Sequence, residues 1–235
     1  MASLVRIFAA AVNSSVSSRS DTSRLACIAL FTPLFLGCAN AILTTARPIG
    51  DGIDEVAIAP QVRATPRDPF HDEGASGETA SVGAWPSLDV GYRHGVGDQL
   101  DFGVTINGWG NGRLDAKVGG APTDWFAAAV DAGVSSNILG LPEAGYVRGD
   151  AALLFDLAPS DAVRVTLGPV GSVGRVHRLR WYTAGGMLGT EIVANPVFAV
   201  QPFVSAELMF DTSSGRLLVF GGGVAFKLRP GRRGL

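Results

Sequence analysis

Cysteine is nearly missing from this chain: the two in 235 residues are Cys27 and Cys38, and both belong to an apolar run near the start. Beyond residue 38 there is therefore no disulfide framework and no thiolate metal site. Histidine is as sparse, and His71, His94 and His177 stand too far apart for metal-ligand spacing. Charged residues make up 17%, little for a soluble domain, and the net charge is only −2 with the arginines scattered. No basic stripe exists to hold nucleic acid. After residue 38 no stretch approaches the roughly eighteen continuous apolar residues of a membrane helix. Catalytic signatures are lacking too. Gly171-Ser172-Val173-Gly174 has the wrong spacing for a nucleophile elbow and sits in a strand pattern. Gly108-Trp109-Gly110-Asn111-Gly112 lacks the Lys and the following helix of a phosphate loop. His71-Asp72-Glu73 has no nucleophile beside it and reads as a polar surface segment. The expectation is no enzyme, no metal and no cofactor.

What the chain does have is glycine, 31 residues of it, a mean hydropathy of +0.27, and alternation. A strand sends successive side chains to opposite faces, and a lipid-facing barrel needs only one apolar face. Leu88 to Arg93, Leu100 to Asn107 and Arg113 to Val118 each place aliphatic or aromatic residues on one face and charged, polar or Gly residues on the other. The same period recurs in Glu55–Ala64, Trp125–Ser135, Tyr146–Leu157, Val163–Val173, Tyr182–Val193, Phe198–Phe210 and Leu217–Leu228, which makes ten strands. Short turns at Gly97–Gln99, Pro122–Asp124, Pro159–Asp161 and Asn195-Pro196 alternate with the connections Pro66–Ala84, Gly108–Gly112, Ser136–Gly145, Val176–Arg180 and Asp211–Gly215. The fold expected is all-β: an antiparallel up-and-down transmembrane barrel of about ten strands, short turns periplasmic and longer connections outside. Trp85, Trp109, Trp125 and Trp181 fall near strand ends, where interfacial aromatics belong.

If the aliphatic face meets lipid, Asp89, Arg93, Asp101, Arg113, Asp115, Lys117, Arg148, Asp150, Arg164, Glu191 and Glu207 line the lumen, with Glu55, Arg63, Asp131, Asp156 and Lys227. An interior of eight to ten strands is about wide enough for side chains to fill. Two readings follow: a packed ion-pair network that plugs the lumen, or a narrow channel for small solutes or ions tuned by these charges.

Leu25 to Gly37 is an apolar run of signal-peptide length, preceded by Arg19 and Arg24. Phe35-Leu36-Gly37-Cys38 resembles a bacterial lipobox, which implies lipid on Cys38; ordinary cleavage after Gly37 or Asn40 is the alternative. The division expected is an export signal at 1–38, a periplasmic linker at 39–52, a barrel at 53–229 and a solvated basic tail from Arg229, chiefly 230–235.

Thr44-Thr45-Ala46-Arg47 leading to Glu55, the run from Pro86 through Tyr92-Arg93, Gly97-Asp98 and Leu100-Asp101 to Val104, and Leu114-Asp115-Ala116-Lys117 together resemble poorly characterised, porin-like bacterial outer-membrane β-barrel proteins. The resemblance implies the outer membrane, its lipid and the barrel assembly machinery as surroundings, and no chemical activity. The expected role is structural or the passage of a small solute. The alternatives are a pedestal that presents outer connections to a partner, and a soluble periplasmic β-sandwich or lipocalin-like lipoprotein whose aliphatic face would be the inside.

Overall fold

The computed structural model describes residues 44–65, 83–138, 146–176, 179–211 and 216–230. Cys38, the export segment, His71 to Glu73, His177 and most of the connections 66–84 and 136–145 lie outside them.

Ten strands form: β1 (Asp54–Thr65), β2 (Gly83–Val96), β3 (Leu100–Asn107), β4 (Asn111–Gly120), β5 (Phe126–Asn137), β6 (Tyr146–Ser160), β7 (Val163–Val176), β8 (Leu179–Asn195), β9 (Phe198–Asp211) and β10 (Arg216–Leu228). Each pairs antiparallel with its chain neighbours, and β1 pairs with β10 from Val56↔Leu228 to Ala64↔Phe220, so the sheet is a closed barrel with no free edge. All ten fall where alternation placed them. Several run further than the alternation did, β8 to 17 residues, because ladder hydrogen bonds join backbone and persist where side-chain pattern fades into Gly, Ala and Thr.

The two faces are sorted by polarity. On β4, Leu114 is 67% exposed and Val118 56%, while Arg113, Asp115 and Lys117 between and beside them are buried. Ile58, Val62, Val90, Phe102, Ile106, Val130, Val134, Leu188, Val204 and Phe226 repeat the outward apolar pattern around the wall. Charged residues inside and aliphatic residues outside is the reverse of a soluble sandwich or lipocalin core, which rules out that alternative. An apolar wall with every strand paired is the arrangement a bilayer demands, since lipid offers backbone groups no partner.

Three expectations are corrected. Trp109 and Trp125 are exposed at strand ends, but Trp181 is 1% exposed and Trp85 shares the inward parity of Asp89. The indole of Trp181 lies on Gly174, its register partner, where a side chain would collide with the ring. Arg229, read as the start of a solvated tail, is 3% exposed. The segment before β1 is not a free linker: Thr44, Thr45, Ala46 and Ile49 are buried.

Candidate functional site: the charged lumen

On β4 the inward positions read Arg113, Asp115, Lys117, alternating in sign; Lys117 faces acids directly across the ladder, while Arg93 and Arg113 reach theirs diagonally. Asp101, Lys117 and Asp131 are cross-strand partners in one row; Arg93, Gly103, Asp115, Gly133 and Asp150 follow one another in the next. Gly103 and Gly133 leave the space that two guanidinium groups fill: a Cβ on Gly133 would lie 2.7 Å from Arg113 Nε. Arg93 donates to Asp101, to Asp115 and, at 3.1 Å, to Asp131. Arg113 donates to Asp131 and grips Asp150 at 2.9 Å through Nε and 2.7 Å through Nη2, while its Nη1 lies 2.7 Å from Asp115. Five strands, β2 to β6, are thus tied across the lumen by two arginines. The forked, always-charged guanidinium is the side chain that can serve several carboxylates in fixed directions.

A second knot lies at the end where the chain leaves β10. Lys227 approaches Glu191 at 3.0 Å and Glu55 at 3.7 Å, and Arg164 donates to Glu191 at 3.0 Å. Arg229, one residue beyond β10, donates to Glu55 and Glu191, each at 2.6 Å. Burial opposes the Arg229 charge, but the carboxylates of Glu55 and Glu191 outweigh it and hold the guanidinium above its ordinary pKa. These contacts span the closure between β1 and β10. Toward the opposite end Arg148 lies 3.6 Å from Glu207, which also accepts from Thr183 at 2.9 Å, and Ser87 donates to Asp89 at 2.9 Å.

The segment ahead of β1 completes the interior. Lys117 Nζ, 3.2 Å from Asp101, donates to Thr44 Oγ1 and the Thr45 carbonyl, both at 2.8 Å, and to the Arg47 carbonyl at 3.1 Å. Asp156 accepts from the backbone N–H groups of Ala46 (2.9 Å) and Arg47 (2.8 Å) and from Thr166 (2.7 Å). Ala46 packs among Ala127, Ala129, Ala152, Leu154, Val170 and Met187. Arg47 reaches the carbonyl of Asp124 in the turn between β4 and β5 at 2.7 Å. Gly50 and Gly52, with φ of 101° and 64°, then turn the chain out of the lumen into β1. Residues 44–52 are therefore a strap across the short-turn mouth of the barrel.

Of the charged residues named from the sequence, Asp89, Asp101, Lys117, Asp131 and Glu191 are fully buried, and Asp150 and Arg164 are half-buried. A cavity of about 20 Å³ bordered by Glu55, Arg93, Thr105 and Arg113 has room for about one water molecule. Sequence reasoning missed Arg229 and the strap. Among the described residues no group of His, Cys, Asp and Glu has the arrangement to hold a metal ion. The acids are satisfied by arginine and lysine instead. His94 is on the outer face, where its Nδ1 lies 2.8 Å from Asp54, which also accepts from Tyr92 at 2.7 Å.

Fold and interior together define the class: a closed ten-stranded antiparallel barrel with an apolar outer wall and an ion-paired lumen. No protein-family model matches the chain, and no curated protein does. Among solved structures it is similar to Neisserial surface protein A, at 10% identity over 74% of this chain and 96% of that one, with a TM-score of 0.39. It is also similar to the outer membrane protease OmpT from Escherichia coli (8% identity, 77% and 98% covered, TM-score 0.41) and to Ail, the attachment invasion locus protein of Yersinia pestis (10%, 76% and 99%, 0.30).

Proposed function

We propose that the mature protein is an outer-membrane β-barrel with a structural role, a sealed membrane scaffold without catalysis, and that solutes do not cross it while the strap is seated. The observation that carries this reading is the strap on Lys117 and Asp156, backed by the network of Arg93 and Arg113 across the lumen. The apolar wall supports the membrane setting, and short turns sharing one end with the strap and the exit from β10 support a periplasmic position for that end. The alternative of a narrow passage requires a continuous wet path, and the fully buried charges of the middle lumen oppose it.

Planar-bilayer recording tests this. The intact protein is expected to give no conductance steps, and a variant lacking residues 44–50 to give them; steps from the intact protein would overturn the sealed reading. Cys38 is the proposed lipidation residue. It lies outside the described residues, six positions before Thr44 in the sequence. Palmitate labelling that is lost in Cys38→Ser is expected; unchanged labelling would remove the anchor.

A further inference from the structure

The outward face of the strands is apolar along its length, and among the described strand residues its cations are three: Arg175, Arg180 and Arg216, all exposed. They are not scattered. Arg175 of β7 and Arg180 of β8 are direct register partners; on the next strands Tyr182 partners Phe210, and Phe210 partners Arg216. The Arg216 guanidinium lies over the Phe210 ring, 5.9 Å from its centre. Arg175 and Arg180 thus share one register row, and Arg216 stands with Phe210 and Tyr182 in the row two residues nearer the short turns, all of them close to the end of the barrel away from those turns and the strap.

A charge on the lipid face costs about 2–4 kcal/mol at mid-bilayer and little near the interface, so these residues mark the level of lipid headgroups. An anion placed between two guanidinium forks meets both with charge-assisted hydrogen bonds. Immediately below, the same wall offers Val173, Tyr182 and Leu218, exposed at 50%, 49% and 38%. A ligand that fits both halves is an amphiphile with a phosphate at its head and acyl chains beneath.

We propose that this face of β7–β10 is a binding site for a phosphorylated lipid headgroup of the outer leaflet, held by Arg175 and Arg180 with Arg216 at its edge. The proposal rests on the outer-membrane reading, so the preparation is first required to show a band that shifts on boiling. The detergent-purified full chain is then incubated with diphosphorylated lipid A, monophosphorylated lipid A or phosphatidylcholine, and bound lipid is counted by native mass spectrometry. Diphosphorylated lipid A is expected to bind best and phosphatidylcholine least, and R175Q/R180Q to weaken binding by about tenfold or more, with R175K/R180K losing less. Equal inorganic phosphate is expected not to compete. Binding by a heat-modifiable barrel that ignores both lipid phosphates and the substitutions would overturn the site, as would full competition by inorganic phosphate, which would assign it to a free anion. A wild-type chain with no shift on boiling would instead overturn the outer-membrane reading itself.

Discussion

Arg93 touches acids from three strands, β3, β4 and β5, and what such a residue contributes is clearest from its removal. Breaking a buried ion pair by deleting one partner costs about 3–5 kcal/mol, mainly through the charge left behind. Arg93→Met is therefore expected to lower stability by about that amount in urea unfolding from detergent micelles. A loss under about 1 kcal/mol would mean that the lumen is wet enough to solvate the abandoned carboxylates. On the opposite face Leu114 projects from the wall, and Leu114→Arg is expected to cost about 2–4 kcal/mol in lipid vesicles and much less in a soluble medium. The alternating Arg113-Leu114-Asp115-Ala116-Lys117 shows in the sequence which side chains face inward, because period two leaves no other partition. It does not show which acid each arginine holds, since Arg113 and Asp150 are brought together only by pairing through β5. Arg229 escapes a reading that ends the strand at Leu228; it continues the inward parity of Ala225 and Lys227 by one step and, with Lys227, ties the end of β10 to Glu55.

Among the elements, the strap differs most from what its residues suggest. Thr44 to Gly52 has neither period two nor 3.6, and its place in the lumen depends on Lys117 and Asp156, 73 and 110 residues away along the chain. No local signal encodes contacts at that separation, whereas strands announce themselves within eight residues. At Gly95 strap and wall approach too closely for a side chain. A Cβ there would lie 1.9 Å from the Gly50 carbonyl oxygen, a contact no side chain permits. Gly95→Val is thus expected to dislodge residues 44–52 while leaving every lumen charge in place, which trypsin cleavage after Arg47 in the folded, detergent-solubilised protein would report. Lys117→Met removes the donor to three strap oxygens and is expected to expose the same bond. Resistance of Arg47 to trypsin in both variants would show that the strap is held by something other than these contacts.

For the molecule as a whole, the decisive feature is closure. Once β1 meets β10 no edge remains, and the two faces of one sheet become a wall and a lumen that do not exchange. The interior is then small enough for ion pairs to span it, and the exterior is uniform enough to sit in lipid with Arg175, Arg180 and Arg216 toward one rim. That the chain makes such a barrel was legible from ten alternating segments and their turns. The contents of its mouth were not, because they are set by tertiary contacts alone. The central claim, a closed barrel resident in the outer membrane, is tested most directly by separating inner from outer membranes and running the outer fraction on a gel with and without boiling. A band in the outer fraction that migrates differently when boiled is the predicted result; a protein recovered without detergent, or a band indifferent to boiling, would contradict it.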